Sequence, residues 1–394
     1  MYLKSAALTA MIGTLAMTAF ADVDWMILPK YSSSGRMLIQ GTRDAVAKKG
    51  KPAGRIIPTM RFETPKTNSL AKYKYLRIGG KNFSFSGLNE KGLAVIFTGG
   101  DPIDPKREPN PKRDGNTYTA PAATVIMLRS CATAQQAVRN MQDAFKKKLI
   151  SGSSIFFVAD PNRAFVIECA PRHFASWELP HAFCVYSNCW KLPGMDDGSL
   201  GSADRAANNY QREWAAREAL KQAFDANKVI SVEDSIRASR VSVAEANSEE
   251  FAKRRGKGKV TTAPYNKNSA DSYLFDLDSE FPDILSCVYA AYGPFRHTVY
   301  LPIPLGAADK LPSEVVNASW LDSTYRLRDA ADPNSPVRPE LLEFEKKQLA
   351  EFAKARESAR SRLRQDKRGE AIKILRETLA KQAKETDEFL KNLK

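Results

Sequence analysis

Histidine and cysteine are scarce in this chain of 394 residues, which contains three histidines and five cysteines. Three histidines leave few candidates for a His-based catalytic triad. The sequence also lacks a Gly-rich phosphate loop, a His-Glu-x-x-His helix and a Gly-x-Ser-x-Gly elbow. Five cysteines in so long a chain do not make a disulfide framework, although a single bridge is compatible with that number.

Several of these residues do cluster loosely along the chain, as zinc ligands would. The cluster consists of Cys169, His173, His181, Cys184 and Cys189. Its spacings match no structural zinc pattern, and alternating strands would distribute the side chains over both faces of a sheet. We therefore expect ordinary strand residues, with no metal and no cofactor.

Long apolar runs are missing everywhere except at the N-terminus. There, Lys4 precedes an apolar run over 6–17, and Ala19-Phe20-Ala21 fits the small-x-small rule for cleavage. The sequence predicts a signal peptide over 1–21, a mature start at Asp22, and a periplasmic or extracellular protein without a membrane span. An uncleaved anchor is the alternative, but the run is short and rich in Ala, Thr and Gly.

Acidic residues are outnumbered, with 45 acidic against 60 basic residues and a formal net charge of +15. This excess is compatible with an anionic partner such as an acidic small molecule, a polymer or a membrane face, and export disfavours nucleic acid. Basic residues concentrate at 253–259 and in the C-terminal segment. A solvated loop and a solvated helix face are the favoured explanations of these two concentrations.

Alternating and helical apolar patterns predict a layered α+β protein, because strands come in runs separated by blocks of helix. From residue 338 the apolar residues keep a helical period on both sides of Gly369, which predicts a charged helical hairpin. We expect three segments: 1–21, a main domain over 22–337, and the hairpin over 338–394. The predicted strands are 23–28, 36–40, 75–78, 83–86, 93–98, 154–159, 164–169, 183–187, 287–292 and 298–301, and the predicted helices are 120–130, 133–148, 202–226 and 232–239.

One motif between two predicted strands has a family resemblance. The run from Gly87 through Asn89 and Gly92 to Val95 reads Gly-Leu-Asn-Glu-Lys-Gly-Leu-Ala-Val. It resembles a segment of the choloylglycine hydrolase and penicillin acyltransferase group, which are N-terminal-nucleophile hydrolases acting on linear amides. The resemblance implies a four-layer αββα sandwich. It also implies that the first mature residue attacks an amide carbonyl while its own α-amino group acts as the base.

Further segments between Asp22 and about residue 327 share the resemblance and imply site residues. Asp44, at the end of the second strand, matches the family's Asp, whereas Gly41 stands where an Arg is usual. Asn188 matches the Asn that binds the developing oxyanion, and Arg205 matches an active-site Arg. The implied catalytic residues are Asp22, Asp44, Asn188 and Arg205, and the implied substrate-binding residues are Asn89, Thr98 and Gly99.

The chain departs from the family at the nucleophile, since Asp22 is neither Cys, Ser nor Thr. A carboxylate attacking an amide would give a high-energy mixed anhydride, so Asp22 would instead act as a general base or as a strand cap. Three hypotheses stay open. The chain is an amidase, peptidase or acyltransferase for a small acylated amine or peptide-like substrate, or a non-catalytic binding protein on the same scaffold, or a surface protein that holds a polyanion or partner. A homo-oligomer is compatible with each.

Overall fold

The structure of the protein is a computed structural model that describes residues 22–45, 59–65, 71–80, 83–101, 104, 106, 108–111, 117–195, 203–255, 259–266, 268–332 and 335–394. The predicted signal peptide lies outside these residues, as does part of the basic segment at 253–259. Among the described residues, no helix has both the length and the apolar composition needed to cross a membrane.

Thirteen strands in the described part of the chain form two sheets. They are β1 (Val23–Ile27), β2 (Met37–Asp44), β3 (Thr59–Glu63), β4 (Tyr75–Gly80), β5 (Phe83–Asn89), β6 (Ala94–Gly99), β7 (Ser154–Ala159), β8 (Ala164–Cys169), β9 (Phe174–Glu178), β10 (Phe183–Ser187), β11 (Ser269–Leu277), β12 (Cys287–Tyr292) and β13 (Leu301–Pro304). One sheet has the order β10-β1-β2-β11-β12-β13, and the other has the order β3-β4-β5-β6-β7-β8-β9. Neighbouring strands are antiparallel in both sheets.

Eleven α-helices are described, and they cover the sheets. They are α1 (Ala120–Ser130), α2 (Ala134–Lys146), α3 (Ala203–Asn227), α4 (Val232–Ser239), α5 (Val243–Ala246), α6 (Glu249–Arg255), α7 (Pro282–Leu285), α8 (Ser313–Asn317), α9 (Leu321–Ala330), α10 (Pro339–Arg364) and α11 (Arg368–Asn392). Helices α1 and α2 pack on the seven-stranded sheet, while α3 and α4 pack on the six-stranded sheet. Because the two sheets face each other, the order of layers is helix, sheet, sheet, helix, and the predicted α+β sandwich is confirmed.

Local sequence explains why these elements form. The central strands β7 and β8 are buried at every position, so both read as nearly continuous apolar runs. Helix α2 begins where the side chain of Thr133 accepts a hydrogen bond from the Gln136 amide, and Val138 and Met141 occupy its buried face. In α4, Ser231 and Asp234 form a capping box.

The strand predictions were wrong at one strand and omitted three others. The strand predicted at 298–301 lies instead at Leu301–Pro304, because β13 is at the sheet edge, where Pro302 and Pro304 are tolerated. The strands β3, β9 and β11 were missed altogether. β3 and β9 are the two edge strands of the seven-stranded sheet, whereas β11 lies in the interior of the six-stranded sheet, where its acidic residues Asp271 and Asp276 hide the apolar pattern.

The C-terminal helices α10 and α11 form an antiparallel pair that packs against the edge of the six-stranded sheet. Buried ion pairs hold α10 there. Arg356 contacts Asp276 of β11, and Glu345 accepts two hydrogen bonds from Arg240, which directly follows α4, at 2.8 and 2.6 Å. The pair of helices is therefore joined to the main body by charge as well as by apolar contact.

Candidate functional site

Asp22 precedes β1 and lies at the centre of a buried polar group between the two sheets. Its side chain is buried, and residue 22 as a whole is 3% exposed. One carboxylate oxygen accepts a hydrogen bond from the Thr98 hydroxyl at 2.8 Å, and the other accepts one from the backbone amide of Asp44 at 3.2 Å. Both oxygens are therefore engaged within the protein.

Asn188 directly follows β10 and connects Asp22 to the seven-stranded sheet. Its side-chain oxygen accepts a hydrogen bond from the backbone nitrogen of Asp22 at 2.8 Å. Its side-chain nitrogen donates to the Thr98 hydroxyl at 2.6 Å and to the Gly99 carbonyl at 2.9 Å. Since β1 pairs with β10, Asn188 is fixed beside the first described residue of the chain.

Asp24 is a second buried carboxyl on the same side of β1, two residues after Asp22. It lies opposite Gly41 of β2, and a Cβ at Gly41 would be 2.7 Å from its Oδ1. A close approach of this kind requires glycine. The family resemblance leads one to expect an arginine at position 41. The side chain of Asp24 occupies the space that a side chain at position 41 would need.

The end of β2 adds a third carboxyl and an ion pair. Asp44 accepts hydrogen bonds from the Asn266 amide at 2.6 Å and from the Ser269 hydroxyl at 3.0 Å. The neighbouring Arg43 binds Asp271 of β11 through two nitrogens, and its guanidinium lies 3.4 Å from the centre of the Phe85 ring. This pair is neutral as a unit, so it does not offset the charge of Asp44.

Arg212 of α3 is the buried cation of the site, and it was not among the predicted residues. It is 3% exposed, and its Nη2 donates to the Ser187 hydroxyl at 3.2 Å and to the Asn188 oxygen at 3.3 Å. Arg205 lies on the same helix, but its side chain is outside the described part of the structure. The two positions are seven residues apart, about two helical turns, so they share one helix face. That repeat was the sequence signal for Arg212.

Burial with too little positive charge nearby raises the pKa of all three carboxyls. Burial, together with the charge of Asp44, raises the pKa of Asp22 to about 7. Burial also raises the pKa of Asp44 to about 6, against the opposing effect of Arg212. The pKa of Asp24 lies well above its usual range because of burial and the charge of Asp22.

The structure brings some of the predicted residues together and separates another. Asp22, Asp44, Thr98, Gly99 and Asn188 meet in one network. Their catalytic and binding roles stay predictions.

Asn89 lies outside this network. It sits at the turn end of the β5–β6 hairpin, whereas Thr98 is four residues beyond Ala94, about 13 Å along β6. Its side chain donates to the carbonyls of Leu128 and Cys131 and accepts from the amides of Lys91 and Leu93. Asn89 therefore holds the turn against the end of α1, and the expectation that it contacts substrate is not supported by this position.

One thiol borders the site: Cys189 directly follows Asn188 and accepts a hydrogen bond at 2.8 Å from the side chain of Asn209, which also contacts Arg212. All five cysteines lie in the described residues and none is in a disulfide. Burial raises the pKa of Cys169 and of Cys184 to about 12, which makes both thiols unreactive near neutral pH. Within the described ranges, no group of His, Cys, Asp or Glu is arranged to hold a metal ion.

Chemically, the arrangement favours proton exchange over nucleophilic attack. A carboxyl whose pKa is about 7 is partly protonated at neutral pH, and such a group can accept or donate a proton. Each of its two oxygens accepts a hydrogen bond, from Thr98 or from the backbone of Asp44, and such bonds make the carboxylate a weaker nucleophile.

Comparison with known proteins gives structural likeness but no match in sequence. No family model matches the chain, and no curated protein matches it. A mutant conjugated bile acid hydrolase from Clostridium perfringens is similar in structure, with 12% identity, a TM-score of 0.42, and coverage of 68% of this chain and 89% of that one. An N-acylethanolamine-hydrolyzing acid amidase ortholog from Caenorhabditis elegans is 13% identical, with a TM-score of 0.38 and coverage of 64% and 91%.

A third similar structure is a penicillin V acylase from Agrobacterium tumefaciens. It is 13% identical to this chain, with a TM-score of 0.37 and coverage of 68% of this chain and 86% of that one.

Proposed function

We propose that this chain is an exported protein built on the N-terminal-nucleophile hydrolase scaffold, and that it binds a small acylated amine without hydrolysing it through a covalent intermediate. The observation that carries the proposal is the state of Asp22. Its carboxylate is buried and accepts hydrogen bonds on both oxygens, from Thr98 and from the Asp44 amide. A side chain held in this way caps its neighbours rather than attacking a substrate.

The chemistry of carboxylates supports the same proposal. Attack by a carboxylate on an amide would form a mixed anhydride, which is higher in energy than the amide it replaces. Carboxylate nucleophiles accordingly serve on glycosyl or phosphoryl centres. None of the five thiols stands at residue 22, where the family's nucleophile is expected, although Cys189 directly follows Asn188 and accepts a hydrogen bond from the Asn209 side chain at 2.8 Å.

A second candidate function is amide hydrolysis in which Asp22 acts as a general base on water. The raised pKa of Asp22, about 7, favours it, because a base works best when its pKa is near the working pH. In this alternative Asn188 and Arg212 would stabilise the oxyanion. Arg212 is proposed here in place of Arg205 because its side chain reaches Asn188.

Hydrolysis and binding are tested together on purified protein beginning at Asp22. A conjugated bile acid, an N-acylethanolamine and penicillin V serve as probes, with product release followed by mass spectrometry and binding by calorimetry. We expect binding of at least one probe with no turnover. Turnover in the unmodified protein that disappears in Asp22→Asn would replace the proposal with the general-base alternative.

An Asp22→Cys variant tests whether the site still supports acyl transfer. The α-amino group, Asn188 and Arg212 would remain, and donors to an oxyanion contribute about 10²-fold or more each. We expect a covalent acyl adduct at residue 22 with a reactive ester or amide. Asp225→Asn, a change in an exposed ion pair of α3, is the matched control and should form none. Absence of both adduct and binding would contradict the proposed scaffold function.

Export is proposed from the sequence of residues 1–21 and is tested by expressing the full chain in a Gram-negative host. N-terminal sequencing of the periplasmic fraction should give Asp22 as the first residue. Full-length protein retained in the cytoplasm would contradict export. A start at Ser32, Ser33 or Ser34 would supply a hydroxyl nucleophile and would remove the argument from Asp22.

A further inference from the structure

The buried site between the sheets contains more negative than positive groups. The ionisable groups that face it, taken from every described element around Asp22, are Asp22 and Asp24 of β1 and its start, Arg43 and Asp44 of β2, Asp271 and Tyr273 of β11, and Arg212 of α3. Arg43 and Asp271 form an ion pair with no net charge, although Arg43 still acts to lower the pKa of Asp22. Three carboxyls then remain for one guanidinium, which leaves the site short of positive charge.

Asp24 shows this shortage most directly. It is 1% exposed, and its Oδ2 has no hydrogen-bond partner among the described residues. Buried polar atoms are nearly always bonded, and a buried carboxylate oxygen without a hydrogen-bond partner is costly. The glycine at position 41 makes room for this side chain, so its burial is built into the strand pair and is not an accident of one rotamer.

The backbone nitrogen of Asp22 is the place where a positive charge would arise. It is buried and donates to the Asn188 oxygen at 2.8 Å. If the chain begins at Asp22, this nitrogen becomes an ammonium group with three protons. One proton can keep the bond to Asn188, and the others are then available to the carboxyls on the same side of β1.

We infer that Asp22, Asp24 and Asp44 form a socket for the chain's own α-ammonium group, so that cleavage before Asp22 completes the charge balance of the folded core. Asp24 is the positioning residue of this ammonium socket. Arg212 opposes the new charge, because its Nη2 lies 3.3 Å from the same Asn188 oxygen. Three carboxyls with two cations are nevertheless closer to neutrality than three with one.

The ammonium socket rests on the proposed start at Asp22, and it makes the stability of the fold depend on that start. Carboxyls with raised pKa values stabilise the fold when protonated and lose that contribution as pH rises through the folded pKa. A nearby ammonium group favours the ionised carboxyls and reduces this loss. A chain that begins further upstream places its ammonium group elsewhere, so it loses all of this stability as the pH rises.

The test compares two proteins, one beginning at Asp22 and one beginning at Ala19, each released from a fusion by a protease that leaves the chosen residue first. Residue 19 is three residues upstream, about 10 Å of extended chain. We expect similar melting temperatures at about pH 4 and a gap in favour of the Asp22 start that widens up to about pH 7 to 8. A gap that is the same at each pH, or that favours Ala19, would overturn the inference.

Two variants make the test specific. Asp24→Asn should reduce the pH-dependent difference in melting temperature between the two starts, whether the pH is raised or lowered. Asp225→Asn, in the exposed ion pair of α3, should leave this difference unchanged. If the Ala19 protein fails to fold at neutral pH, refolding at about pH 4 to 5 should recover it, and failure at both pH values would count against the ammonium socket. Because the readout is stability, amide turnover by the unmodified protein would refute the proposed function and leave this result intact.

Discussion

Gly41 and Asp24 lie opposite each other in the β1–β2 pair, and a Cβ on residue 41 would come within 2.7 Å of Asp24 Oδ1 and 2.9 Å of Ile96 Cγ2. Both contacts are closer than side chains normally allow. The buried carboxyl and the glycine are therefore a matched pair. This pairing explains how position 41, where the family resemblance leads one to expect arginine, can be a glycine here: the side chain of Asp24 occupies the space.

Gly41→Ala should consequently destabilise the fold by about 1–3 kcal/mol, the usual cost of overpacking a core. Chemical denaturation measures the change. Gly369→Ala is the matched control, since nothing lies within 4 Å of a Cβ there and residue 369 is in the first turn of α11. The control should be neutral or slightly stabilising. An equal loss in both variants would mean that the close approach to Asp24 is not what requires glycine.

The free energy of unfolding should depend on pH because Asp22 titrates with a raised pKa. Its pKa of about 7 lies above its ordinary value of 3.8, so its contribution is present below about pH 4 and is lost as pH rises to about 7. Asp22→Asn removes this titration. Between those pH values the variant should lose less stability than the unmodified protein, by a difference on the order of 2–4 kcal/mol. Parallel stability curves for the two proteins would contradict the raised pKa.

The ion pair between Arg356 of α10 and Asp276 of β11 should be essential for attaching the C-terminal helices. Both side chains are buried, and the pKa of Asp276 is held below its usual range, against the effect of burial, by Arg356 and Arg36. Arg356→Met leaves Asp276 paired with Arg36 and should cost about 1–3 kcal/mol, the usual cost of removing one partner of a buried polar group.

Lys381→Met, which breaks an exposed pair with Glu351, is the control for this prediction and should change stability little. Thermal unfolding followed by circular dichroism compares the two variants. Removing Asp276 and Arg356 together, as Asp276→Asn with Arg356→Met, should recover part of the loss. If Arg356→Met and Lys381→Met behave alike, α10 is held by apolar contact alone.

Asn89→Ala should affect stability and leave ligand binding intact. The variant deprives the Leu128 and Cys131 carbonyls of a donor and the Lys91 and Leu93 amides of an acceptor, at a cost of about 2–3 kcal/mol. Asn162→Ala, at an exposed turn between β7 and β8, is the comparison. A folded Asn89→Ala protein that had lost ligand binding would restore the substrate-contacting role implied by the resemblance.

The sequence by itself determined the elements whose pattern is local. The strands at Ser154–Ala159, Ala164–Cys169, Phe183–Ser187 and Cys287–Tyr292 and the helices at Ala120–Ser130 and Val232–Ser239 have the bounds predicted from apolar periodicity and turn residues. The class of fold followed from their order, since runs of strands separated by helices lead to layered sheets. The grouping of Asp22, Asp44 and Asn188 was implied by the family resemblance of the segments that carry them.

Only the tertiary structure decided what depends on partners distant along the chain. The strand β11 carries Asp271 and Asp276 into the core because Arg43, Arg36 and Arg356 meet them there, and no pattern within Ser269–Leu277 indicates such partners. The same holds for Arg212, which became the buried cation because α3 packs beside Asn188. Burial of charge is set by what surrounds it in space, so a sequence that names the charged residues does not by itself say which of them will be paired.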